Sequence, residues 1–144
     1  MNSDIQTSPI RFIPIDSEDP EFLAPNIIRW RVNMKPHIWC PPTDLIETSD
    51  RLVIRVEIAG MKKNDFSIHI DQKRVIISGQ RAETHEDRSF HRMEIAFGEF
   101  ESDVELPAPI EVDKATAEYK DGFLTINLPK SLPKSIPIHT TKIE

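Results

Sequence analysis

The sequence is poor in the residues that several common kinds of functional site require. A single cysteine excludes an internal disulfide and a zinc site of four thiolates. Only four glycines occur in 144 residues, which excludes a phosphate-binding loop rich in glycine. Basic side chains are outnumbered, 18 against 24 acidic ones, and the net charge of −6 argues against an extended nucleic-acid surface.

Long apolar runs are also missing. No uncharged apolar stretch approaches the roughly 20 residues that a bilayer-spanning helix needs. The first residues, Met1 to Asp4, lack the basic and apolar pattern of an export signal. We therefore expect a cytoplasmic protein without a membrane span.

No pattern in the chain is typical of catalysis or metal binding. His37 and Cys40 have a plausible spacing for two metal ligands, but a structural zinc needs four. The acidic residues that alternate over 99–105 face outward on a predicted strand, where nothing raises the pKa of a general acid by burial. We predict no catalytic residue, no metal and no cofactor.

Prolines divide the chain into three parts. Seven of the twelve lie within residues 1–42, and none lies between Thr43 and Leu106. Because proline lacks the amide donor that a sheet ladder needs, only the segment without proline can form regular sheet. We predict an irregular arm at 1–42, a folded domain at 43–130 and a C-terminal extension at 131–144.

The folded domain alternates apolar and polar residues with the period of strands that have one buried face. Residues 52–58 and 66–70 show this period, and short β-branched runs follow them. Asp121-Gly122 is a two-residue turn, so paired positions of the last hairpin should sum to 243, from Tyr119 opposite Leu124 to Ala115 opposite Leu128. These features predict an all-β, immunoglobulin-like antiparallel β-sandwich.

The arm carries large apolar side chains that its prolines prevent it from packing into a core of its own. This composition differs from ordinary disorder and indicates a segment that is buried against something else. Two interpretations remain open, contact with unfolding proteins and packing inside an oligomer. The side chains predicted to bind such client proteins are Phe12, Ile13, Ile15, Phe22, Trp30 and Trp39.

A polar surface loop at 82–89 precedes a strand-like segment, Phe90 to Phe97. The residues alone leave two interpretations of this segment open. It either reaches out to another subunit or folds back as a hairpin onto its own sheet.

The hairpin motif Ala117-x-x-x-Asp121-Gly122-Phe123-Leu124 resembles the A-x-x-x-n-G-v-L signature of the small heat-shock protein family, whose shared unit is the α-crystallin domain. The resemblance extends over about residues 43–138 and includes Gly79-x-Arg81 and Gly98-x-Phe100. Two positions depart from the family pattern. Ala59 replaces the proline of a P-G turn, and Ser102 stands where arginine is frequent.

The resemblance implies an ATP-independent holdase chaperone whose partners are other copies of itself and unfolding client proteins. Bacterial and plant members exchange a strand within a dimer, which favours exchange here by Phe90, His91, Arg92, Met93, Glu94 and Ile95. A C-terminal I-x-I anchor corresponds to Ile136, Pro137 and Ile138. The groove that receives such an anchor corresponds to Phe66, Ile68, Ile70, Ala115 and Ala117.

Three further possibilities stay open at this stage. Ile13-Pro14-Ile15 repeats the I-x-I pattern in the arm and could enter the same groove. A co-chaperone adaptor of the related CS-domain type shares the sandwich, but its members lack the anchor and the long loop. A monomeric β-sandwich that binds a small ligand is disfavoured because both tryptophans lie in the arm.

Overall fold

The computed structural model describes residues 10–19, 38–83 and 87–132 of the chain. These residues form eight strands, and all pairs of neighbouring strands except one are antiparallel. The strands are β1 (Phe12–Pro14), β2 (Thr43–Glu47), β3 (Arg51–Glu57), β4 (Phe66–Ile70), β5 (Arg74–Arg81), β6 (Gly98–Glu105), β7 (Thr116–Lys120) and β8 (Phe123–Pro129). The first sheet has the order β1-β4-β5-β6 and the second the order β2-β3-β8-β7. The predicted all-β sandwich is confirmed.

The core lies between the two sheets and consists of the inward residues of the alternating segments. Buried members are Leu52, Ile54, Val56, Ile58, Phe66, Ile68, Ile70, Val75, Ile77, Phe100, Val104, Ile110, Leu124, Ile126 and Leu128. In β3 every second residue is buried, as the period of two predicts. Burial of each large apolar side chain contributes roughly 1.5 to 3 kcal/mol, so the core fixes the register of both sheets.

The β7–β8 hairpin has the predicted register. Ala117 pairs with Ile126 and Tyr119 with Leu124. The turn residues Asp121 and Gly122 have φ angles of 53° and 81°, as a type I′ turn requires. The ladder ends one pair earlier than predicted, because β7 begins at Thr116 and a short 3₁₀ turn precedes it, so Ala115 is not paired with Leu128.

Different contacts join the two sheets on the two sides of the sandwich. On one side, Thr43 of β2 and Ser102 of β6 share a hydrogen bond of 2.8 Å between their hydroxyl oxygens. On the other side, the rings of Phe66 in β4 and Tyr119 in β7 pack with centroids 5.1 Å apart. The edge of β4 therefore lies beside the edge of β7.

Two segments of the arm cover the edges of the first sheet. Phe12–Pro14 pairs in parallel with β4, and Trp39 forms a parallel bridge with Phe100 in β6. The first pairing differs from the prediction of an arm without regular structure. Pro14 is tolerated because the N–H of Ile15 donates to the carbonyl of Ile70; donors alternate along a strand, so the donor that Pro14 lacks faces away from β4.

Candidate functional site

The predicted groove residues on β4 lie together along one face of that strand. Phe66, Ile68 and Ile70 are all buried and belong to the core between the sheets. The register places Phe12 beside Ile68 and Pro14 beside Ile70. In this chain β1 therefore covers the β4 side of the predicted groove.

The opposite side of the groove is formed by β7 and the residue before it. Ala115 and Ala117 are half-buried and pack against the core with small side chains. Tyr119 closes one end of the groove, since its hydroxyl donates to the carbonyl of Ile58 at 2.8 Å and accepts the N–H of Met61 at 3.3 Å. Four of the five predicted groove residues thus lie on β4 and β7, and Ala115 directly precedes β7.

The arm residues that pack on this groove are not those of its I-x-I pattern. Ile10 and Phe12 pack against the core, whereas the side chain of Ile13 is 42% exposed. Alternation along a strand explains the difference, because neighbouring side chains point to opposite faces. Ile10 was not predicted from the sequence, where its only signal was the two-residue spacing from Phe12.

The segment predicted to be exchanged between subunits, Phe90 to Ile95, forms no strand in this chain. Its apolar side chains are open to solvent, with Phe90 49%, Met93 59% and Ile95 65% exposed. The hairpin onto its own sheet, left open by the sequence, is not formed by the described residues 87–97. The segment therefore presents apolar surface that its own sandwich does not bury.

Arg81 holds the base of this segment against the sandwich. Its Nε donates to the carbonyl of Ala96 at 2.9 Å, its Nη2 donates to the same oxygen, and its Nη1 reaches the carbonyl of Ala59 at 3.3 Å. The guanidinium lies 4.5 Å from the ring centroid of Trp39 and 5.6 Å from that of Phe97. Cation–π attraction and charge-assisted hydrogen bonds together fix this side chain.

The outer edge of β2 is the second candidate interaction surface. No strand of the described part of the chain pairs with this edge, which carries Leu45 and Ile46, 38% and 39% exposed. Asp44 and Glu47 flank these two residues. Glu47 forms an ion pair with Lys130, with Nζ of Lys130 2.7 Å from Oε1 of Glu47. An unpaired edge with apolar side chains is a template for the addition of another strand.

The acidic residues that alternate over 99–105 on β6 include Asp103, which forms an ion pair with Arg74. The guanidinium of Arg74 on β5 donates from Nε and Nη2 to the carboxylate of Asp103 at 2.8 and 2.7 Å. The hydrogen bonds to Asp103 raise the pKa of Arg74 above its ordinary value. This pair gives one member of the acidic row over 99–105 a structural role that the sequence did not predict.

Of the predicted arm residues, Phe12 and Trp39 pack onto the sandwich, and Ile15 is half-buried beside β4. Phe22 and Trp30 lie outside the described residues, as does the predicted anchor of Ile136, Pro137 and Ile138. Within the described ranges, no helix has the length and apolar character needed to cross a membrane.

Comparison with known sequences gives consistent matches. The profile of the Hsp20/alpha crystallin family matches residues 44–144. Small heat shock protein C2 of Rickettsia felis is 35% identical over 92 residues, a match that covers 62% of this chain and 60% of the Rickettsia protein. Heat shock protein 16 of Schizosaccharomyces pombe is 32% identical over 102 residues, which are 68% of this chain and 71% of the yeast protein. The chain thus spans less than two thirds of the Rickettsia relative.

Solved structures of related proteins have the same sandwich. Heat shock protein 16.0 from Schizosaccharomyces pombe superposes with a TM-score of 0.59 at 30% identity, over 73% of this chain and 98% of that chain. A small heat-shock protein from Xylella fastidiosa gives a TM-score of 0.58 at 26% identity, over 71% of this chain and 98% of that chain.

Proposed function

This chain belongs to the Hsp20/alpha crystallin family, and on that premise we propose that it is an ATP-independent holdase. It binds partly unfolded proteins through apolar surface, prevents their aggregation, and works in the cytoplasm as an oligomer of strand-exchanged dimers. The observation that carries the oligomeric part of the proposal is the solvent-exposed apolar surface on Phe90, Met93 and Ile95, which the sandwich of one subunit leaves uncovered. Exposed apolar surface of this kind is typical of protein-binding sites.

The dimer interface brings together two exposed apolar surfaces, the segment Phe90–Ile95 and the outer edge of β2. The segment Phe90–Ile95 of one subunit adds to the outer edge of β2 in its partner, so that its apolar side chains are buried against Leu45 and Ile46. Within this interface Arg92 of the exchanged segment can pair with Asp44 on β2. Segments of the arm cover both edges of the first sheet. The outer edge of β2 in the second sheet has no such cover among the described residues and carries exposed apolar side chains.

The tail joins dimers into a larger particle. Ile136 and Ile138 project to the same side of an extended segment that Pro137 preorganises. Two buried isoleucines contribute roughly 3 to 6 kcal/mol before ordering costs, which corresponds to about millimolar binding for one tail at best. Many tails in one assembly act together through effective concentration, so the particle holds while single contacts exchange quickly.

Clients are bound by the apolar residues of the arm. Unfolding proteins present apolar side chains and bare strand edges. Phe22 and Trp30 supply large apolar contacts in the arm, and the arm changes its contacts from client to client. The relative from Xylella fastidiosa, described as having a distinct high order structure, is consistent with an assembly of this kind.

The purified chain tests the proposal in two measurements. Light scattering of a heat-labile client should fall when the chain is added at equimolar ratio without ATP, and its native mass should be that of an oligomer. A monomeric chain without effect on scattering would refute the holdase and favour the adaptor of CS-domain type. A variant of the arm tests the client-binding part: Phe22→Ser combined with Trp30→Ser should keep the fold and lower suppression, because both residues precede the predicted folded domain at 43–130.

A further inference from the structure

The groove between β4 and β7 already holds a segment of its own chain. β1 pairs with β4 over three residues, from Phe12 beside Ile68 to Pro14 beside Ile70. The backbone N–H of Ile15 extends this ladder with a 2.9 Å hydrogen bond to Ile70. Both the edge of β4 and its apolar face are therefore occupied from within the protomer.

The side chains that occupy the groove have the same spacing as the tail anchor. Ile10, just before β1, and Phe12 in β1 are two residues apart and both pack against the core, and Ile136 and Ile138 are also two residues apart. In each segment a single residue separates two large apolar side chains. In an extended backbone, the two side chains of such a pair point to the same face.

We propose that the arm segment 10–15 caps the anchor groove within its own protomer and competes with the tail anchor of a second copy. This inference rests on the proposed role of the tail. The outer edge of β4 accepts one strand only, and Phe12 fills the position beside Ile68, at the centre of the three groove residues on β4. Arm and tail therefore exclude each other.

The competition couples assembly to client binding. A tail that enters the groove displaces Ile10 and Phe12, and the displaced arm adds these two apolar residues to its client-binding surface. By linkage, a client that captures the freed arm strengthens tail binding by the same factor. While the cap is in place, it also protects the β4 edge from pairing with other strands.

A peptide-binding experiment on the full chain tests this coupling. The chain carries Ile136→Ala and Ile138→Ala, so that its own tail does not compete, and a fluorescein-labelled peptide of residues 131–144 is titrated by anisotropy. If the arm leaves the groove free about one tenth of the time, adding Phe12→Ser should tighten peptide binding roughly tenfold. Ile13→Ser is the matched control, because it removes an apolar side chain of the same strand that points to solvent, and it should leave the affinity unchanged.

A reversible lock provides a second measurement that does not depend on removing a packed side chain. Ile13 and His69 are partners in the β1–β4 ladder, so Ile13→Cys and His69→Cys in a Cys40→Ser background can form a disulfide that fastens the arm. Oxidation should weaken peptide binding at least tenfold, and reduction should restore it.

Three results would contradict the inference. Equal peptide affinity for the Phe12→Ser and Ile13→Ser variants would show that the arm does not compete. Peptide binding that oxidation leaves unchanged would do the same. A peptide that binds none of the variants would also remove the tail anchor from the proposed function, whereas suppression of aggregation by the unaltered chain would still stand by itself.

Discussion

The guanidinium of Arg81 lies 4.5 Å from the ring centroid of Trp39. Because Arg81 also donates to the carbonyls of Ala96 and Ala59, it connects the end of the arm, the base of the segment Phe90–Ile95 and the turn after β3. The buried Nε1 of Trp39 has no hydrogen-bond partner among the described residues. The tryptophan ring is thus held in place by its backbone bridge to β6, by Phe100 and by this cation.

Loss of the Arg81 guanidinium should loosen all three segments together. We expect Arg81→Met to lower the free energy of unfolding by about 2 kcal/mol, since charge-assisted hydrogen bonds and a cation–π contact are lost. In a Trp30→Phe background, the emission of Trp39 should also shift to longer wavelength as the ring becomes exposed. Urea unfolding and fluorescence measure the two effects.

Arg88→Met is the matched control for this change. The guanidinium of Arg88 lies 5.0 Å from the ring centroid of Phe90, and its Nη2 lies 3.6 Å from Oε1 of Glu83. Arg88 is more exposed to solvent than Arg81. Its loss should change stability by less than about 1 kcal/mol. Equal effects of the two substitutions would contradict a structural role for Arg81.

Exchange of Phe90–Ile95 between subunits predicts a cross-link between different chains. In a Cys40→Ser background, one batch of protein carries Ile46→Cys and another carries Met93→Cys. After subunits of the two batches have mixed, a short bis-maleimide should join one chain of each kind, because β2 of one copy lies beside the exchanged segment of the other. Denaturing gels with one batch isotopically labelled identify the mixed product.

A batch with Lys114→Cys in place of Ile46→Cys controls for random collision, since Lys114 is solvent-exposed and far along the chain from β2. Cross-linking of this control as fast as the Ile46 variant would contradict exchange onto β2.

The tail anchor should be needed for the particle but not for the dimer. Ile136→Ala combined with Ile138→Ala removes both apolar contacts of each tail, and because multivalent binding depends on every contact, the loss should be large. We expect size-exclusion elution to shift from the oligomer to the dimer with the melting temperature of the sandwich unchanged. Thr140→Ala with Thr141→Ala is the control, and unchanged elution of the isoleucine variant would refute the role of the tail.

The hydroxyls of Thr43 and Ser102 should be energetically coupled. Ser102 is buried, and Thr43 also donates to the carbonyl of Pro41 at 2.9 Å, so the Ser102 hydroxyl donates to Thr43. Ser102→Ala should lower the free energy of unfolding by about 1 kcal/mol. The double variant with Thr43→Val should be less destabilised than the sum of the two single variants, by about 0.5 to 1.5 kcal/mol. Additive losses in urea unfolding would show that the bond contributes nothing.

Gly79 should not tolerate a side chain. A Cβ at this position would lie 2.8 Å from Cζ of Phe100 and would also collide with the backbone carbonyl of Asp65. Overpacking of a filled core destabilises by roughly 1 to 3 kcal/mol, so Gly79→Ala should show a loss in this range by urea unfolding. Gln80→Ala, a change at the exposed neighbouring position, should have little effect, and equal stability of both variants would contradict the close packing.

The sequence by itself determined the sheets and the hairpin. A period of two with β-branched and aromatic residues forces one face of each strand into the core, and Asp121-Gly122 permits only a tight turn, so the register that sums to 243 follows from local chemistry. The same register brings the predicted groove residues of β4 and β7 to one side of the sandwich, while their role as a groove for the tail stays a prediction.

Tertiary structure alone decided what covers the edges of the sheets. The prolines of the arm exclude a long strand but not three residues at an edge, and nothing in the residues near Phe12 specifies a parallel partner more than fifty positions away. That Phe12 rather than Ile13 packs against the core depends on which backbone donors meet β4. The same holds for Arg81, whose partners come from three separate segments that only the folded chain brings together.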